Sequence, residues 1–93
     1  LTMINKHFSL KVLAVMQEFT RKGMLLPKER ALIADMCKTY ARSGDDDEFC
    51  ERLDWCSKNL SQNVVKQKFK EIKEEIYNDN DSQNYSVHRQ DNA

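Results

Sequence analysis

The chain predicts an all-α fold: a small four-helix bundle or orthogonal helical array with a disordered C-terminal tail. Two glycines and one proline in 93 residues are too few punctuators for a turn-rich β fold. Several long stretches repeat apolar residues at spacings of three and four, the period of a helix with one buried face. Between those stretches stand helix stops and starts, at Gly23, Pro27, Gly44 with Asp45, and Ser61.

The first helix is expected over about 6–22, where Phe8, Val12, Val15, Met16 and Phe19 form one stripe. Leu10, Leu13 and Ala14 widen that face, which predicts a central position or contact with a second surface. Asn5 or Ser9 suits its start, Arg21 and Lys22 complement the negative end of the helix dipole, and Gly23 supplies a left-handed terminator. Met24-Leu25-Leu26 is an apolar connector, expected to fold over the end of the core because so apolar a loop does not stay in water. Pro27 then opens the second helix at its first position. That helix, about 27–42, is expected to bury Leu32, Ile33, Met36, Cys37 and Tyr40 before Ser43-Gly44 ends it.

The third helix, about 46–60, begins in an acidic run. Asp45-x-x-Glu48 fits a capping box, and four carboxylates at a helix start complement the macrodipole. Its core stripe is Phe49, Leu53, Cys56 and Leu60. At 100° per residue Trp55 lies roughly 240° from Phe49, and Cys50 roughly 100°. The only tryptophan therefore stands off the buried face of its own helix. Ser61 is expected to cap a fourth helix, about 62–77, whose stripe is Val65, Phe69, Ile72 and Ile76. Its 4-3-4 spacing is heptad-like, but two heptads are too short for a coiled coil. After Asn78 the chain turns polar, which divides it into a helical domain over 1–78 and a disordered polar tail over 79–93.

Fifteen basic residues balance fifteen acidic ones, so no global field attracts nucleic acid or an anionic membrane. The distribution is uneven: residues 1–30 carry six basic and two acidic side chains, and 31–60 carry four and seven. Three cysteines cannot all pair within one chain, and no secretory signal pattern is present. That combination predicts reduced thiols in an intracellular compartment, cytoplasmic or nuclear. No apolar run approaches the roughly 18–20 residues that span a bilayer. A chain that opens on Leu1 rather than methionine reads as a fragment of a larger protein.

Catalytic chemistry finds little to work with. His7 and His88 stand near opposite ends, no Cys-His pair is set up, and the two glycines are isolated, so no phosphate loop exists. Cys50 and Cys56, about 600° apart on one helix, point their thiols in different directions and cannot share a zinc ion. The run Asp45 to Glu48 lacks the spaced acidic pattern of a calcium loop before it. The expectation is a non-enzyme without metal or cofactor.

What remains is a protein–protein interaction module, an adaptor that takes an apolar or amphipathic partner helix in a groove between its helices. The candidate contact residues are Trp55, Arg52, Glu51, Leu25 and Leu26, since tryptophan and arginine typify interface anchors. The competing reading is that the third helix touches two neighbours and buries Trp55. Two alternative functions stand beside the module. One is homo-oligomerisation through helix 4 or helix 1. The other is weak nucleic-acid binding through Lys6, Lys11, Arg21, Lys22, Lys28 and Arg30. The run Leu32-Ile33, Tyr40, Glu48-Phe49-Cys50-x-x-Leu53, followed by a cap and a fourth amphipathic helix, resembles small helical adaptor modules of the harmonin-homology and transcription-corepressor type. Those receive amphipathic partner helices in a groove. The likeness covers residues 8–77 as a helix pattern with one Glu-Phe-x-x-x-Leu turn, and carries no binding residues across.

Overall fold

A computed structural model describes the backbone of residues 6–92 and the side chains of 8–78. It contains α1 (Lys6–Arg21), α2 (Pro27–Ser43), α3 (Asp46–Asn59) and α4 (Asn63–Asn92). The starts and stops follow the expected positions closely up to α4. The backbone of α4 runs on to Asn92, past the end expected at about 77, and the side chains of the tail expected over 79–93, the Asn5 cap and both histidine side chains lie outside the described residues.

Each boundary has a local cause. At the end of α1, Gly23 sits at φ +70°. Its N–H donates to the Thr20 carbonyl at 3.1 Å and that of Met24 to the Phe19 carbonyl at 2.9 Å, a Schellman turn. Gly44, at φ +65°, closes α2 with its N–H on the Tyr40 carbonyl at 2.8 Å. Pro27 opens α2 behind Leu26, whose ψ of 153° is the extended geometry that proline imposes on its predecessor. α3 opens on Asp45, whose carboxylate accepts from the Glu48 N–H at 3.0 Å. Only that half of the expected capping box forms, because the Glu48 carboxylate turns to Arg52 and the Asp45 N–H donates to the Ser43 hydroxyl at 3.1 Å. Ser9 lies inside α1 and does not cap it.

Helices adjacent in sequence are adjacent in space, and α4 returns to α1 to close the ring; among the described residues neither diagonal pair is in contact. The centre is filled by Phe8, Val12, Val15 and Phe19 of α1, Ile33, Met36, Cys37 and Tyr40 of α2, Phe49, Leu53 and Cys56 of α3, Leu60 at its end, and Val65, Phe69, Ile72 and Ile76 of α4. These are the predicted stripes with two exceptions, of which the first is Met16, half-buried against the core. The second, Leu32, was expected in the core and is instead 44% exposed. It precedes Ile33 by 100° of helix rotation, which places it at the edge of the stripe rather than on it. Met24 and Leu25 pack against the core as the apolar connector predicts, whereas Leu26 is exposed.

The Tyr40 ring meets Phe49 at a centroid distance of 4.6 Å, and its hydroxyl donates to Asp46 at 2.7 Å. Burial, reinforced by that carboxylate, pushes the phenol up to about 12. Ion pairs cross between neighbouring helices: Lys73 with Asp54 at 2.6 Å, Lys11 with Glu75, and Arg52 with Asp35 at 3.1 Å. Such surface pairs add little stability but fix which helix faces meet. Among the described residues no helix is long and apolar enough to cross a membrane.

Candidate partner-binding groove

The stripe of α3 fixes what its opposite flank presents. With Phe49, Leu53 and Cys56 turned inward, Trp55 must emerge on the side facing α2, and it is 47% exposed there. The competing expectation, Trp55 buried between two helices, is not what forms. On the α2 side the residue at the edge of its stripe is Leu32. Between them lies an open groove of about 450 Å³, lined by Leu32, Met36, Glu51, Arg52, Trp55 and Cys56. Met36 and Cys56 are buried and form its floor.

The charged residues lining the groove are Glu51 and Arg52, and further carboxylates stand beside Arg52. Arg52 is held by Asp35 at 3.1 Å and by Glu48, one turn earlier, at 3.5 Å. Its charge is thereby matched within the molecule, and it closes the groove laterally like a strap between α2 and α3. Glu51 and Asp47, one turn apart on α3, make no ion pair among the described residues. The Asn59 side chain donates to the main-chain carbonyl of Trp55 at 2.9 Å.

Three of the five residues singled out from sequence, Trp55, Arg52 and Glu51, line this groove together. Leu25 and Leu26 do not line it. Leu25 belongs to the plug over the core, and the 46% exposure of Leu26 is at the start of α2. Leu32 is the groove residue that the sequence reading assigned to the core.

A second feature escaped the sequence reading altogether. Glu29, only 6% exposed, is the single buried charged residue among those described. Its carboxylate accepts from the Leu26 N–H at 2.9 Å, the Ser61 N–H at 2.8 Å and the Ser61 hydroxyl at 3.2 Å. Ser61 is therefore committed to Glu29 and not to capping α4, whose first turn bonds to the Gln62 carbonyl instead. Burial pushes the Glu29 carboxyl up, but the hydrogen bonds from Leu26 and Ser61 outweigh it and hold it below its ordinary value. The signal in the sequence was a glutamate at the third position of a helix opened by proline, where a carboxylate reaches back to the residue before it.

Burial pushes the thiol of Cys37 up to about 11 and that of Cys56 to about 12, and raises Cys50 as well. Each acidic residue near the start of α3 other than Asp47 has a structural partner. Among the described residues no cluster of histidine, cysteine and carboxylates is placed to hold a metal ion. The basic residues of the first third are partly spoken for: Lys11 pairs with Glu75 and Lys22 with Glu18. Compared with protein-family models, with curated proteins and with solved structures, the chain matches none.

Proposed function

We propose that the chain is a non-catalytic interaction module that receives an amphipathic helix of a partner protein in the groove between α2 and α3. The observation that carries this reading is the exposure of the only tryptophan opposite an exposed leucine, over a floor that is already buried. Large aromatic surface left half in water, beside a pocket, is what a docking anchor requires. The acidic excess of Asp35, Glu48, Glu51 and Asp47 over Arg52 favours a helix whose apolar anchor is flanked by lysine or arginine.

Trp55 reports on its own site. Titration with a helical peptide that carries leucines at i, i+3 and i+4 beside a lysine is expected to shift Trp55 emission to the blue as the ring leaves water. Trp55→Ala is expected to abolish binding of that peptide while the fold persists. A peptide that binds Trp55→Ala as tightly as the parent chain refutes the groove as its site.

Self-association is the second reading. Leu10 on α1 is 64% exposed, and Val64 and Tyr77 on α4 are also exposed. Sedimentation of a concentrated solution as a monomer would eliminate it.

A further inference from the structure

The hollow between the end of α1 and the start of α2 is, we infer, a second docking surface, which takes an acidic protein segment through Arg21 and Arg30. It has a volume of about 420 Å³ and is lined by Met16, Gln17, Thr20, Arg21 and Arg30. The Schellman turn at Gly23 and the Met24-Leu25 plug bring the last turn of α1 beside the first turn of α2, and so place both arginines on one hollow. Both side chains are exposed, and neither makes a hydrogen bond or a salt bridge to another described residue. The carboxylate nearest in sequence to Arg21, Glu18, is already bonded to Lys22 at 2.8 Å.

The rest of the lining is apolar where it counts. The Thr20 hydroxyl donates back to the Met16 carbonyl at 2.7 Å, and half-buried Met16 packs against the core. Two guanidinium forks over such a floor suit a carboxylate, which each fork can bind in a bidentate manner, with the aliphatic stem of a glutamate or a neighbouring leucine on the floor. Nucleic acid fits less well: the lining offers no aromatic ring for a base, and Lys11 and Lys22, which would extend a phosphate track, are bonded to Glu75 and Glu18. The net charge of zero also gives an anionic membrane no long-range pull.

Arg30 and Leu32 are two residues apart on α2, about 200° of rotation, so the arginine hollow and the tryptophan groove lie on opposite flanks of that helix. The two surfaces differ in chemistry as well: one is basic, and the other is apolar with an acidic rim. A chain with both bridges two unlike segments, which is the work of an adaptor.

The test uses the full chain and a blocked helical peptide with two glutamates one turn apart beside a leucine, with its glutamine counterpart as control. The glutamate peptide is expected to bind more tightly at low salt than at high. Arg21→Glu with Arg30→Glu is expected to weaken it about tenfold or more, while the lysine-bearing groove peptide still binds. Trp55→Ala is expected to leave the glutamate peptide unaffected, so that loss of one surface is read separately from loss of the other. Because Arg21 also complements the C-terminal dipole of α1, Arg21→Gln with Arg30→Gln serves where circular dichroism shows that the reversed pair fails to fold. Equal binding of the glutamate and glutamine peptides overturns the proposal, as does full binding by either double variant. So does tighter binding of phosphatidylserine vesicles or a single-stranded oligonucleotide through the same arginines.

Discussion

Removing the Glu29 carboxylate tests how this small bundle holds its corner. Glu29→Ala leaves the N–H groups of Leu26 and Ser61 and the Ser61 hydroxyl without their acceptor. A hydrogen bond to a charged group contributes about 1.5–3 kcal/mol in a buried setting. Leu26 and Ser61 are themselves exposed, so water recovers part of each loss. About 1 kcal/mol per bond is the appropriate scale, or about 3 kcal/mol in all. Domains of this size hold only about 5–15 kcal/mol of stability, and 1 kcal/mol moves Tm by roughly 4–8 °C. Glu29→Ala is therefore expected to lower Tm by roughly 12–24 °C in a thermal melt followed by circular dichroism. Glu29→Gln keeps one acceptor oxygen but turns an amide NH₂ toward a donor, and should cost about half as much. A drop below about 4 °C for Glu29→Ala would refute the reasoning, because it would mean that the corner holds without its carboxylate.

The pH dependence gives the same residue a second signature. The folded Glu29 carboxyl titrates below its ordinary value of 4.5. Its contribution is thus fully present above that value and is lost as pH falls through the lowered folded one. The parent chain and Glu29→Gln, which has nothing to titrate at that position, should differ most at neutral pH and converge in acid.

The thiols and the core give further expectations. Iodoacetamide at neutral pH should alkylate the native chain slowly, with half-buried Cys50 ahead of Cys37 and Cys56, and all three promptly in denaturant; mass spectrometry of the peptides reads the order, and prompt labelling of Cys56 in the native state would contradict its packing. Phe69→Ala, at a fully buried position, should cost about 3–5 kcal/mol, whereas Leu32→Ala, at the lip of the groove, should cost no more than about 1 kcal/mol; chemical denaturation distinguishes them, and equal costs would return Leu32 to the core.

Which face of each helix is buried was legible in the sequence because the signal is local. A spacing such as Val65, Phe69, Ile72, Ile76 specifies one side of one helix without reference to any other. Caps were legible for the same reason where the residue at the boundary acts on its own turn, as Gly23 and Asp45 do. The failures that bear on the site lie where a second element decides. Leu32 sits at the edge of a stripe, and only the position of α3 determines whether that edge is covered. Ser61 has the right side chain to cap α4, but Glu29, 32 residues earlier, competes for it and wins with a charge. The basic first third was visible as composition. Its division into paired Lys11 and Lys22 and unpaired Arg21 and Arg30 depends on where Glu75, Glu18 and the turn at Gly23 fall.

The size of the tryptophan groove limits what can fill it. Trp55 is 47% exposed, so a partner that covers the ring removes on the order of 100 Å² of apolar surface from water, worth about 2–3 kcal/mol. Leu32 adds about 1 kcal/mol at its 44% exposure. Association itself costs an estimated 4–15 kcal/mol in lost motion, so the apolar anchor alone does not hold a partner. A stable complex needs contacts beyond the anchor, and unpaired Glu51 and Asp47 are the groups beside it still able to make them. Their charge therefore does more than steer an encounter. In the proposed function that charge is expected to separate a helix with leucine alone, which the groove would touch and release, from one with leucine beside lysine, which it would retain.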